Sequence, residues 1–156
     1  MLSQKANQEI ETLKARYPNF RSALMPALWI AQEENGYLSK ETLQEVAEVM
    51  GLTPADVESV ASFYSMYNKR PVGKYMIEVC ANISCSLLGA QELARHIEQR
   101  LGVPIGENTP DGLFTVKRVE CMAACGGAPA IQVNGLYHEN MTPERFDTLV
   151  DELRKS

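Results

Sequence analysis

The chain reads as an α+β protein in two parts: a small N-terminal helical bundle over residues 1–70, then a β-α-β-β-α domain over residues 71–156. Three observations predict this division. Apolar residues recur at helical spacing up to residue 68, then alternate at the strand period from Lys74 onward. Between the two regimes lies Asn68-Lys69-Arg70-Pro71-Val72-Gly73, a polar stretch with the proline and glycine of a linker. All four cysteines, Cys80, Cys85, Cys121 and Cys125, fall after it.

The elements follow in order. Asn7 to Arg16 carries Ile10 and Leu13 on one face of a weakly amphipathic helix, which Tyr17-Pro18-Asn19 breaks because proline disfavours a helical residue before it. A second helix is expected from about Ser22 to Asn35, stopped by Gly36, with Pro26 tolerated near its first turn. Leu24, Leu28 and Ala31 form its stripe, and Met25, Trp29 and Ile30 widen it beyond what one small core needs. Ser39 caps a third helix, Lys40 to Met50, ended by Gly51. Thr53-Pro54-Ala55-Asp56 starts a fourth, reaching about Tyr64: a hydroxyl cap, proline at the first position and an acid at the positive end.

Beyond the linker, Lys74 to Cys80 alternates as a strand. Ser86 to Leu101 reads as one helix with Leu87, Ala90, Ala94, Ile97 and Leu101 on its core face. Leu113 to Val119 and Ala130 to Val133 read as strands, and Asn134-Gly135 turns the latter into Leu136-Tyr137-His138. Thr142-Pro143-Glu144 starts a closing helix with Phe146, Leu149, Val150 and Leu153 inward. A short mixed sheet with helices packed on it closes this order, close to a thioredoxin-like arrangement.

Composition narrows the function classes. At 156 residues, 45% hydrophobic and 22% charged, the chain is an ordinary globular one. A net charge of −5 argues against nucleic acid or an anionic membrane surface as partner. No run approaches the roughly 18 apolar residues of a membrane span, so no direct membrane insertion is expected. The polar start, with Glu9 close to Met1, reads as neither signal nor transit peptide. The expected compartment is the reducing cytoplasm, where clustered cysteines more often bind metal than form disulfides.

The cysteines are spaced C-x4-C, then 35 intervening residues, then C-x3-C. Cys80 ends a strand, Cys85 is expected in the loop before a helix, Cys121 follows the next strand, and Cys125 lies in the loop towards Ala130. If the two strands lie parallel in one sheet, both loops meet at one end. A 2Fe–2S cluster takes two thiolates on each iron, so Cys80 and Cys85 are expected on one iron and Cys121 and Cys125 on the other. Its formal charge, roughly −2 oxidised and −3 reduced, calls for donors. Candidate donors are the backbone N–H groups of Cys125-Gly126-Gly127, the side chains of Asn82 and Ser84, and the positive end of a helix starting near Ser86. Two alternatives stay open. A structural zinc site more usually shows C-x2-C, and a thiol redox pair at Cys121 and Cys125 would have one residue more than the thioredoxin-type motif.

Other residues read more plainly. His96, among Glu92, Gln99 and Arg100, is expected as a solvated surface residue, and His138 as an edge residue after the hairpin. Glu33-Glu34 and Asp151-Glu152 read as exposed helix faces, and Lys69, Arg70 and Lys74 as solvated charges beside the linker. Met25, Trp29, Ile30, Phe63, Tyr64, Met66 and Tyr67 are either bundle core or a partner interface. No GxGxxG follows a strand and no P-loop is present, so no nucleotide site of the chain's own is expected.

Five stretches carry a family resemblance from about Ala23 to Leu153: Leu28–Ser39 (LWIAQEENGYLS), Val60–Tyr67 (VASFYSMY), Pro71–Tyr75 (PVGKY), Gly106–Phe114 (GENTPDGLF) and Glu120–Pro129 (ECMAACGGAP). Together with the four-cysteine spacing they resemble the thioredoxin-like 2Fe–2S ferredoxin family that supplies the E-type subunit of NADH:quinone oxidoreductase, respiratory complex I. The resemblance implies an electron-transfer subunit, not catalytic alone, with one 2Fe–2S cluster on Cys80, Cys85, Cys121 and Cys125. It implies stable pairing with a flavin subunit that binds NADH and FMN, and through it with further iron–sulfur subunits. The helical part is then the docking part, and the place is the cytoplasmic side of the inner membrane, peripheral to a membrane complex. An NAD-dependent hydrogenase or formate dehydrogenase reuses the same unit and is the alternative setting.

Overall fold

The computed structural model describes residues 1–155, and the chain divides into two compact units, Met1–Pro71 and Val72–Ser156. The first holds four helices: α1 (Gln4–Lys14), α2 (Leu24–Asn35), α3 (Lys40–Met50) and α4 (Pro54–Phe63). Hydroxyl caps set three of the starts. Ser39 accepts from the Thr42 N–H, Thr53 from the Asp56 N–H, and Ser3 from the Ala6 N–H. That last cap starts α1 three residues before the expected Asn7. Ahead of α2, Phe20–Ala23 forms a 3₁₀ turn capped by Asn19, which delays the helix from Ser22 to Leu24.

Ile10, Leu24, Leu28, Leu38, Val46, Met50, Val57 and Tyr67 are among the buried residues that close this unit's core. Each fully buried aliphatic side chain contributes about 1.5–3 kcal/mol over an exposed one. The segment after α4 folds back onto α2. The Tyr67 hydroxyl donates to the Met25 carbonyl at 2.8 Å, and the Gln32 side chain donates to the Met66 carbonyl and accepts from the Asn68 N–H. Tyr67 is thus core. Trp29, Tyr64 and Met66 remain exposed, Phe63 is 80% exposed, and Met25 and Ile30 are half-buried.

The second unit holds β1 (Tyr75–Cys80), α5 (Ile83–Leu87), α6 (Ala90–Leu101), β2 (Phe114–Val119), β3 (Ile131–Val133), β4 (Leu136–His138) and α7 (Pro143–Leu153). The sheet order is β2-β1-β3-β4. Strands β1 and β2 run parallel with Cys80 opposite Val119, and β1–β3 and β3–β4 are antiparallel. Ile77, Val79, Phe114, Val116, Ile131 and Val133 form one core with Leu93, Ile97 and Leu101 of α6 and Phe146 and Val150 of α7. Alternate strand residues share a face, so both helices cover that face. Asn134 and Gly135 turn the hairpin at φ 48° and 82°, which a two-residue turn of this kind requires.

The expected single helix from Ser86 to Leu101 is two helices. It breaks at Gly89, whose φ of 96° no helix accommodates, and the first piece starts earlier, at Ile83. Leu87, expected on the core face, is 81% exposed. The apolar period through Leu87 and Leu88 concealed the break, because α5 turns its inner side to Cys80 rather than to the sheet.

Candidate metal centre

The parallel pairing of β1 and β2 delivers both cysteine segments to the carboxyl end of the sheet. All four cysteines are free thiols. Cys80 is the last residue of β1 and is buried. Cys85 is buried too, and sits within α5 rather than in a loop before a helix, because Asn82 caps that helix by accepting from the Ile83 N–H. With Ala90, Ala128 and Ala130, the two thiols form a small core beyond the strand ends. Cys121 and Cys125 are exposed, on the segment after β2, Cys125 opening a 3₁₀ turn to Gly127.

Cross-links bind the two segments. The Ala81 N–H donates to the Val119 carbonyl at 2.8 Å, the Cys80 thiol to the Glu120 carbonyl at 3.3 Å, and the Asn82 side-chain amide to the Glu120 carboxylate at 3.4 Å. The Ser86 hydroxyl donates to the Ala81 carbonyl at 3.0 Å. Burial pushes the Cys85 thiol above its ordinary pKa, and the nearby sulfurs of Cys80 and Cys125 add to this, against a backbone hydrogen bond at Ala130.

The donor set differs from the expected one. The Asn82 side-chain oxygen accepts from the Ile83 N–H, and one amide N–H donates to the Glu120 carboxylate. Gly127 gives its N–H to the Ala124 carbonyl. Its lack of a side chain serves packing: an added Cβ would overlap the Glu139 side chain. Donors that residue types did not reveal are the Ala123 N–H, 3.3 Å from the Cys121 sulfur, and the backbone of Ala130 beside Cys85. Both follow from local backbone turns, which carry no side-chain signature; Ala123 itself has φ 61°.

His96 is not simply solvated. Its Nε2 lies 2.9 Å from Asp147 Oδ1, its ring meets Phe146 edge-on, and Arg100 bonds both Asp147 and Asp151. These contacts tie α6 to α7 and take Asp151 out of the class of idle surface acids. His138 lies in β4, the edge strand.

Among the described residues, no group of three or more His, Cys, Asp or Glu side chains could by itself hold a single metal ion. The donor chemistry nevertheless fits a two-iron, two-sulfide group: four free thiols in two pairs, with backbone hydrogen bonds already reaching Cys85 and Cys121.

A four-stranded mixed sheet with one parallel pair, β1 and β2, and four cysteines beyond the carboxyl ends of that pair defines a thioredoxin-like protein carrying a thiolate centre. The chain belongs to the Thioredoxin-like [2Fe-2S] ferredoxin family, whose description it matches over residues 10–154. It is 45% identical over 147 residues to an E-type subunit of the NADH-quinone oxidoreductase of Rhizobium meliloti, spanning 94% of this chain and 88% of that one. It is 46% identical over 148 residues to NADH-quinone oxidoreductase subunit 2 of Thermus thermophilus, spanning 93% and 82%. In fold it is similar to a chain of an NAD+-reducing [NiFe]-hydrogenase, with TM-score 0.73 at 22% identity, covering 83% of this chain and 22% of that one. The chain thus spans about a fifth of that hydrogenase chain, and the likeness is one of fold. Among the described residues, no helix is long and apolar enough to cross a membrane.

Proposed function

We propose that this chain is the electron-transfer subunit of the NADH-oxidising module of NADH:quinone oxidoreductase, with one 2Fe–2S cluster held by Cys80, Cys85, Cys121 and Cys125. The observation that carries it is the convergence of two cysteine pairs at one sheet end in a chain of this family. Cys80 and Cys85 would hold one iron and Cys121 and Cys125 the other, in keeping with their pairing along the chain.

When bound, the cluster accepts and returns one electron at a time. The chain's own residues do the rest. Cys80 and Cys85, packed among Ala90, Ala128 and Ala130, keep water from their side of the site. Cys121 and Cys125 lie on the exposed segment, the side from which a partner's electron would come. Hydrogen bonds from backbone N–H groups favour the more negative, reduced form. The flavin subunit binds NADH and FMN, and this chain supplies a one-electron centre and a docking surface beside it. The assembly sits on the cytoplasmic side of the inner membrane as a peripheral arm.

The hydrogenase setting remains the second reading, supported by the fold likeness alone. Affinity purification of the tagged chain from its own cells separates the two. Recovery of an FMN- and NADH-binding subunit together with quinone-reducing membrane subunits is the expected result. Recovery of a nickel-containing or formate-oxidising subunit in their place would overturn the assignment.

A further inference from the structure

One peptide group of the Cys121–Cys125 segment is held from both sides. The carbonyl of Met122 accepts a hydrogen bond from the Tyr137 hydroxyl at 2.8 Å. The N–H of the same peptide, that of Ala123, donates to the Cys121 sulfur at 3.3 Å. Ala123 adopts φ 61°, a left-handed conformation that a residue with a side chain adopts only when its surroundings hold it there. Tyr137 comes from β4, whose register opposite Gln132 is set by the Asn134-Gly135 turn.

Neighbouring contacts anchor the same stretch to the chain following β4. The Asn140 N–H donates to the Gly127 carbonyl at 2.6 Å, and the Met141 N–H to the Pro129 carbonyl at 2.9 Å. Arg145 in turn holds the carbonyls of Glu139 and Asn140. Backbone bonds thus fasten the loop at its far end, bonds at Val119 and Glu120 hold its entry, and the Tyr137 phenol holds the Met122–Ala123 peptide between them.

We propose that Tyr137 is a positioning residue for the cluster: its hydroxyl holds the Met122–Ala123 peptide so that the N–H points at the Cys121 sulfur, and so raises the reduction potential. Two effects act in the same direction. A bond accepted at the carbonyl fixes the peptide plane, and polarises it so that its N–H becomes a stronger donor. A donor at sulfur stabilises the more negative, reduced centre more than the oxidised one. The inference rests on Cys121 being a cluster ligand.

The test is a redox titration of the full chain loaded with cluster, followed by the electron paramagnetic resonance of the reduced centre. Tyr137→Phe removes one oxygen and leaves the ring. The expected result is a lower midpoint potential with altered g-values. The reduction equilibrium constant falls severalfold to tenfold, a factor of ten being about 59 mV for one electron. Replacing Tyr137 by 3-fluorotyrosine, a stronger donor, at mildly acidic pH moves the potential the other way. Leu136→Ala, at the exposed neighbour in the same strand, leaves it unchanged. An unchanged potential and spectrum in Tyr137→Phe, or an equal shift in Leu136→Ala, would overturn the role of the hydroxyl while leaving the cysteine assignment standing. Failure of the parent chain to take up two irons would overturn both.

Discussion

At the level of single residues, the buried and exposed cysteines face different demands before they can bind metal. Cys85 must lose a proton that its surroundings retain, since burial raises its pKa and nearby sulfurs add to that. Only the thiolate binds, so assembly releases that proton and is favoured as pH rises towards the raised value. Reconstitution with fixed iron and sulfide should therefore be more complete near about pH 8.5 than near about pH 6, as read from visible absorption. Equal yields would contradict a protonated Cys85 in the free chain. Changing any one of Cys80, Cys85, Cys121 or Cys125 to Ser should bring iron well below two per chain, because each iron then lacks a thiolate. Gly127 is a further single-residue test. With a Cβ overlapping the Glu139 side chain, Gly127→Ala must displace the chain after β4 or the cysteine segment itself. The expected cost is about 1–3 kcal/mol in the melting of this unit, with looser iron retention.

At the level of elements, the caps govern where helices begin. Thr53 accepts from the Asp56 N–H, its hydroxyl donates back to the Asp56 carboxylate at 2.6 Å, and Arg21 pairs with that carboxylate too. The Thr53 hydroxyl, then Arg21, hold the Asp56 carboxyl below its usual range. A carboxyl depressed in the folded state adds stability above its unfolded pKa of about 3.9, and that stability is lost as pH falls through the folded value. Thr53→Ala should cost about 1 kcal/mol at neutral pH, and the deficit should shrink below about pH 4. Trp29, the sole tryptophan, lies in the helical unit and reports its unfolding by fluorescence. A deficit independent of pH would separate the cap from the Asp56 carboxylate.

Those same caps explain which elements were legible. Ser39 with Gly51 bounded α3 to the residue, and Thr53-Pro54 fixed the start of α4, because the residues that end a helix are chemically distinct. The break at Gly89 was not legible, since Leu87 and Leu88 continue an apolar period that the structure leaves on the surface. The meeting of the cysteine pairs was readable once β1 and β2 were taken as parallel strands. The donors to their sulfurs were not. They are backbone groups placed by the φ of Ala123 and by the chain leading to Ala130. The His96–Asp147 pair escaped for a related reason: its partner lies 51 positions away on another helix.

At the level of the whole molecule, what the chain does depends on what it stands beside. The helical unit leaves Trp29, Phe63, Tyr64 and Met66 exposed, with Phe63 and Tyr64 edge-to-face at 5.0 Å. Aromatics and methionine are the residues that interfaces concentrate. If this unit docks the flavin subunit, Phe63→Ser should weaken that association at least about tenfold in a binding titration. Its Trp29-reported melting should stay that of the parent, because the side chain contributes little to the unit's own core. Undiminished binding would place the docking surface elsewhere on the chain.

Whether four thiolates from two strand ends hold a two-iron centre is decided by metal analysis of anaerobically purified protein. Iron, acid-labile sulfide and zinc are counted in one sample, and the reduced sample is read by electron paramagnetic resonance. A red-brown protein with two irons, two sulfides and a spin-half signal on reduction is the expected result. A colourless protein carrying one zinc per chain would contradict it.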